Sequence, residues 1–316
     1  MRALVFPGQG AQAIGMGKAL AEAYPQSREV FERVDAALGE PLSELIWEGD
    51  ADTLTLTRNA QPALMATSLA AMAALRAEGV EIGAADFVAG HSLGEYSALA
   101  AAGALSLEDC ARLLRTRGEA MQSAVPVGMG AMAAILGLPI AQVESIAAEA
   151  AQGEVCEVAN ENDPSQTVIS GNVAAVERAA AMAKEAGAKR ALMLPVSAPF
   201  HCALMEPAAR VMEEALGKVE IAAPAVPVVA NVSAEAVRDP DEIRRLLVAQ
   251  VSGRVRWSSS VEWMATQGVT SCIEVGAGKA LSGMIRRIAK DMTTHAVGTP
   301  ETAQAVAAEI KGEQHV

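Results

Sequence analysis

The chain has 316 residues, 51% hydrophobic but only 3% aromatic, and a formal net charge of −13. That length suits one main domain plus a smaller one, and the acid excess argues against non-specific nucleic-acid binding, which needs a basic surface. No run reaches the roughly 18 apolar residues of a membrane span, and the stretch between Arg2 and Pro7 is too short for a signal-peptide core.

Cys110, Cys156, Cys202 and Cys272 form no CxxC pair and sit at no zinc-type spacing with a histidine. They read as reduced thiols of a cytoplasmic protein, and no metal is expected. Much of the apolar share is alanine, which favours helix without filling volume, so closely packed helices are expected.

In chain order, Arg2–Phe6 reads as a buried strand stopped by Pro7-Gly8-Gln9-Gly10. A helical stretch starts near residue 16, 57–62 reads as a polar break, and 63–78 as a helix. A second apolar run, 86–89, leads into Gly90-His91-Ser92-Leu93-Gly94, with a helix over 95–102. Residues 107–122 form the next helix, with Ser106 as N-cap and Glu108 and Asp109 in its first turn.

The middle segment reads strand 131–138, helix 141–151, strands 155–159 and 166–170, helix 173–186 and strand 190–196. This β-α-β-β-α-β order is that of a ferredoxin-like unit. We place it at 128–197, inserted into a larger domain made of 1–127 and 198–316. The α/β pattern then resumes, with strand 226–230, helices 241–251 and 261–267, strand Ser271–Val275 and a helix to about 288. The tail beyond Thr299 reads as polar or Ala-rich and partly mobile at its end. Strands alternating with helices imply a mostly parallel sheet covered on both faces, here in an α/β-hydrolase-like large domain.

The strongest local signal is Gly90-X-Ser92-X-Gly94 between a strand and a helix, the context of a nucleophile elbow. The sharp turn lifts the serine out of the sheet, and glycines let the backbone pass its neighbours. The helix N-terminus offers free N–H groups to an oxyanion, that of Leu93 first. A serine needs a base. His315 and His295 lie near the tail, and His91, next to Ser92, should point away as a structural residue. His201 remains, on a loop stiffened by Pro199. Cys202 beside it reads as a buried thiol rather than a nucleophile.

These residues bring the chain close to a known family. It resembles the malonyl-CoA:acyl-carrier-protein transacylases of bacterial fatty acid synthesis. The likeness runs through Phe6-Pro7-Gly8-Gln9-Gly10, Gln61-Pro62-Ala63, the elbow with Glu95, Arg117-Gly118, Asn160-Glu161-Asn162, the 195–201 segment, Gln250 and Glu274-Val275-Gly276. Ala277 departs from it, standing where the family often has proline.

The resemblance implies a Ser92–His201 dyad without a third acid, although Glu206 and Asp239 follow the serine. It makes the Gln9 and Leu93 N–H groups the oxyanion donors, Gln250 the orienter of His201 through its main-chain carbonyl, and Arg117 the partner of the malonyl carboxylate. It implies malonyl-CoA as donor, the phosphopantetheine of acyl carrier protein as acceptor and no permanently bound cofactor. A monomer is expected. Lys189, Arg190, Lys279, Arg286 and Arg287 are candidate cations for an acidic carrier. Rival readings are another extender unit such as methylmalonyl, against which the bulky Phe200 argues, a serine thioesterase or esterase, and a non-catalytic carrier-binding scaffold.

Overall fold

The structure, a computed structural model, describes residues 1–196 and 198–313; Ser197 and His315 therefore lie outside the described residues. The chain opens with strand β1 (Arg2–Phe6) and helices α1 (Lys18–Ala23), α2 (Pro25–Leu38), α3 (Leu42–Glu48), α4 (Ala51–Thr55) and α5 (Thr57–Ala77). Strand β2 (Phe87–Gly90) leads into α6 (Gly94–Ala101) and α7 (Leu107–Ser123). Next come β3 (Gly130–Leu136), α8 (Ile140–Ala151), β4 (Cys156–Asp163), β5 (Gln166–Asn172), α9 (Val173–Glu185) and β6 (Arg190–Met193). The chain continues through α10 (Glu206–Leu216), β7 (Val228–Val229), β8 (Ala236–Val237), α11 (Pro240–Ser252), α12 (Trp257–Thr266) and β9 (Ser271–Val275), and ends with α13 (Ala280–Ile288), β10 (Thr293–Val297) and α14 (Pro300–Glu313).

Six strands form one sheet in the order β10-β9-β1-β2-β7-β8. All its pairs are parallel except β7 with β8. Its central strands are uninterrupted apolar runs because both faces are covered. Leu4, Phe6, Val88 and Ile273 pack into the core shared with α5, α6 and α7. Ala3, Val5, Ala89 and Cys272 face Trp257, Val261, Leu281 and Ile285 of α12 and α13.

The second sheet is antiparallel, in the order β4-β5-β3-β6. The β-α-β-β-α-β order expected from sequence is the one observed. Helices α8 and α9 cover one face, where Ile135, Val158 and Ile169 meet Val143, Ala147, Val176 and Ala179. On the other face Met132, Ala134, Ala159 and Val168 pack against Phe200. Polar ties join the two sheets' layers: the buried Asp163 carboxylate pairs with Arg287 at 2.8 Å, and Arg254 reaches Glu144 at 2.6 Å and Glu161 at 2.8 Å. Residues 160 and 255 form a parallel bridge.

Two expectations need correction. Residues 57–62 are not a break but the first turns of α5. Thr57, Asn59 and Gln61 are buried because they bond inward: Thr57 Oγ1 donates to Gln9 Oε1, Asn59 Nδ2 to the Thr53 carbonyl and Gln61 Nε2 to Thr57 Oγ1. Pro62 has no N–H for the carbonyl of Arg58; Arg115 Nη1 donates to that carbonyl instead, at 2.5 Å. Beyond Thr299 the chain forms α14, where Ala303, Val306, Ala307 and Ile310 bury a stripe in the main core; the very end of the tail, residues 314–316, lies outside the described residues. Finally, β6 ends at Met193, short of residue 196. No described helix is long and apolar enough to cross a membrane, and all four cysteines are free and buried.

Candidate active site

The elbow is shaped by sterics. A Cβ on Gly90 would lie 1.9 Å from the Gly94 carbonyl, and one on Gly94 would lie 2.2 Å from the Phe6 carbonyl oxygen. Only glycine permits these two approaches, which bring the end of β1, the end of β2 and the start of α6 together. Ser92 is thereby turned into the left-handed region, with φ of 54°. Such backbone costs about 1–3 kcal/mol in a non-glycine residue and persists where surrounding contacts hold it.

His201 is the other strained residue of the pair, with φ of 57°. It is 4% exposed, and its Nε2 lies 2.8 Å from Ser92 Oγ. Its Nδ1 faces two main-chain carbonyls, Gln250 O at 2.9 Å and Gly253 O at 3.1 Å. Two acceptors at Nδ1 require the proton there, which leaves the Nε2 lone pair for the serine hydroxyl. Burial, then the Arg117 charge, pushes the imidazole down to about 3, so it is neutral and able to take a proton. No carboxylate stands behind it: Glu206 accepts from Ser252 Oγ, and Asp239 caps α11 by accepting from the Glu242 N–H.

The Leu93 N–H sits at the start of α6, and the Gln9 N–H follows β1. Among the described residues, neither N–H has a backbone acceptor. His91 turns away from the serine, its Nε2 2.9 Å from Asn162 Oδ1 and its ring against Trp257. Cys202 is buried, with its thiol pushed up to about 11 by desolvation, which leaves it inert. His295 pairs with Glu309, remote from the elbow in sequence and strand position.

Arg117 is a buried cation at 1% exposure on α7. Its Nη1 donates to Gln61 Oε1 at 2.7 Å, and its Nη2 donates to Gln250 Oε1 at 2.8 Å and Ser92 Oγ at 3.2 Å. These acceptors are all neutral, and the guanidinium carbon lies 5.7 Å from the Tyr96 ring centre. The Glu95 carboxyl acts on this charge without bonding it directly, and an anion beside the serine would add a hydrogen-bonded charge partner.

The sequence reading missed two residues here. Asn231 binds both sides of the elbow, accepting from the Ser92 N–H at 2.8 Å and donating to the Gly90 carbonyl at 2.7 Å. Glu95, quoted only as part of a motif, is 2% exposed and accepts from both Asn231 and Gln250. No local pattern marks either role, because the contacts join positions some 140 residues apart in the chain.

All five suggested carrier-facing cations are exposed; Arg287 is also tied to Asp163, and Arg286 donates to Thr294 Oγ1.

Residues 3–309 match the family model described as acyl transferase domain. A malonyl CoA-acyl carrier protein transacylase of Bacillus subtilis is 46% identical over 312 residues, covering 98% of each chain. That of Escherichia coli K12 is 48% identical over 308 residues, 98% of this chain and 99% of the other. Among solved structures, an acyl-carrier-protein-S-malonyltransferase from Bartonella henselae superposes with a TM-score of 0.96 at 53% identity, covering 98% and 99% of the two chains. A type II PKS acyl-carrier protein in complex with its malonyl-transacylase gives 0.95 at 40% identity, over 98% and 99%. Matched along nearly its whole length, the chain belongs to the acyl transferase family, among its malonyl CoA-acyl carrier protein transacylases, and is an acyltransferase.

Proposed function

We propose that Ser92 is the nucleophile through which this acyltransferase moves a malonyl group from coenzyme A to the phosphopantetheine thiol of acyl carrier protein. The observation that carries the reading is the double approach to one hydroxyl: Ser92 Oγ lies 2.8 Å from His201 Nε2 and 3.2 Å from Arg117 Nη2. His201 takes the serine proton as Oγ attacks the thioester carbonyl. The oxyanion is met by the N–H groups of Leu93 and Gln9; losing one such donor typically costs about 3 kcal/mol of transition-state stabilisation. The tetrahedral intermediate collapses with release of the coenzyme A thiolate, which takes up the imidazolium proton. A malonyl-Ser92 ester remains. The carrier thiol then gives its proton to His201, attacks that ester and leaves as malonyl thioester, while the serine recovers a proton from His201. The order is ping-pong.

Arg117 selects the acyl group. Its fork matches a carboxylate, and the guanidinium stands where the far end of a malonyl ester on Ser92 would reach. Gln250 serves twice, through its carbonyl on His201 and its side chain on Arg117. An acetyl group leaves the buried cation without its anion and is the poorer substrate.

The test is intact mass after mixing with malonyl-CoA or acetyl-CoA, with free coenzyme A assayed in the same tube. The wild type should gain one malonyl group, and Ser92→Ala none. Arg117→Ala should lose about a hundredfold or more in malonyl acylation, as expected when a charge-assisted pair is removed, and most of its preference over acetyl. Steady coenzyme A release without an adduct or carrier would instead favour a hydrolase.

A further inference from the structure

Strand β7 lies beside β2 with Val229 opposite Ala89, so the residue two positions further on arrives alongside the elbow. That residue is Asn231, 1% exposed, whose side chain takes the Ser92 N–H. From α11 the Gln250 side chain, fully buried, donates Nε2 to the Ser92 carbonyl at 3.0 Å. Both main-chain groups of the strained serine are therefore held by side-chain amides. Both amide residues in turn converge on one atom, Glu95 Oε2, which accepts from the Asn231 N–H at 3.0 Å and from Gln250 Nε2 at 2.9 Å.

A side-chain amide can pack in either of two orientations, with oxygen and nitrogen exchanged. At Gln250 only one of them works. Oε1 must face the Arg117 guanidinium and Nε2 the Ser92 carbonyl. The Glu95 oxygen enforces this, because the flipped amide would set two acceptors against each other and turn its NH2 toward a cation.

We infer that Glu95 is a positioning residue: as a shared acceptor it fixes the Gln250 amide that aims Arg117 and anchors the Asn231 segment that carries the Ser92 N–H. This inference rests on the roles assigned above to Ser92 and Arg117. Burial pushes the Glu95 carboxyl up to about 7 against the opposing pull of Asn231, Gln250 and Arg117. Oε2 accepts equally well when the other oxygen carries a proton, so the role requires an acceptor and not a charge.

Glutamine at position 95 keeps an acceptor, and alanine removes it. The full chain and its variants are mixed with malonyl-CoA or acetyl-CoA and quenched over time, and Ser92 acylation is read by intact mass beside thermal melts. Glu95→Ala should acylate about ten- to a hundredfold more slowly with malonyl-CoA, the range expected for orphaned buried donors, and should lose part of its malonyl-over-acetyl preference. Glu95→Gln should restore both to within about threefold. Full rate and preference in Glu95→Ala would overturn the inference, as would a Glu95→Gln protein that melts like wild type yet has lost the preference. Should Glu95→Ala not fold, Glu95→Gln decides alone by the same two readouts. A Ser92→Ala protein that still took the malonyl group would sink the underlying reading; an inert Ser92→Ala beside a fully active Glu95→Ala sinks this inference only.

Discussion

The two sheets do different work. The parallel sheet ends three of its strands around Ser92: β1 at the Gln9 turn, β2 at the Ser92 elbow and β7 close to Asn231. Among the described residues, the antiparallel sheet supplies neither hydrogen-bond partner of Ser92 Oγ, which come from His201 and Arg117. It offers an apolar face to Phe200, a prop for His91 through Asn162, and exposed cations at Lys189 and Arg190. The difference teaches that chemistry here is built from close backbone approaches, which tolerate no added atom. The small sheet contributes from further away, through side chains at its margin.

The largest effect should therefore come from a single methyl group in the parallel sheet. Gly90→Ala puts a Cβ 1.9 Å from backbone atoms of Gly94, a contact that no rotamer relieves. Overpacking of this kind costs typically about 1–3 kcal/mol in stability, and here it also displaces Ser92. The expected result is a lowered melting temperature with acylation below detection by intact mass. A Gly90→Ala protein with wild-type acylation would refute the steric account of the elbow.

An intermediate effect concerns acid. The unfolded chain protonates His201 below the ordinary histidine value of 6.5, whereas the native imidazole is held down to about 3. The unfolded state then binds the extra proton, so stability is lost as pH falls from 6.5 toward 3. Glu95 acts oppositely. Its carboxyl is raised from 4.5 to about 7, so the native state binds the extra proton and stability falls as pH rises through that window. The two oppose each other between 4.5 and 6.5, and only His201 acts below 4.5. His201→Ala should thus lose less melting temperature than wild type between pH 4.5 and 3.5. In the wild type the Ser92 acylation rate should show no histidine-like inflection near 6.5.

The smallest effect should be the charge reversal of Lys189 and Arg190 to Glu. Both are exposed on the small sheet, so acylation by malonyl-CoA should be unchanged, while transfer to an acidic carrier slows severalfold and becomes less salt-sensitive. Slowed acylation would place reacting groups in the small sheet after all; unchanged carrier kinetics would remove these two cations from the docking surface.

Much of this was legible in the sequence where the signal is local. Two glycines around a serine, between an apolar strand and a helix, mark the elbow because the pattern itself spans only five residues. The β-α-β-β-α-β order was likewise readable from short-range pattern. His201 was reached by setting three other histidines aside, and Arg117 only through the family likeness, since nothing local distinguishes a buried arginine on α7 from an exposed one. The start of α5 was hidden for a physical reason: Thr57 and Gln61 look like loop residues because their polar groups belong to the site. Asn231 and Glu95 were not legible at all, since their partners are supplied by distant segments.

The position of β1 has a consequence for the making of the protein. Residues 2–6 are translated well before β9, yet they sit in the middle of the large sheet, between β2 and β9. On the ribosome that strand pairs on one side once β2 has emerged, and its other edge stays open until residues 271–275 have been synthesised. An apolar strand with an unpaired edge is a site for wrong partners. The nascent chain therefore carries an open apolar edge through the long interval between β2 and β9, and the large sheet closes around β1 only after β9 has emerged.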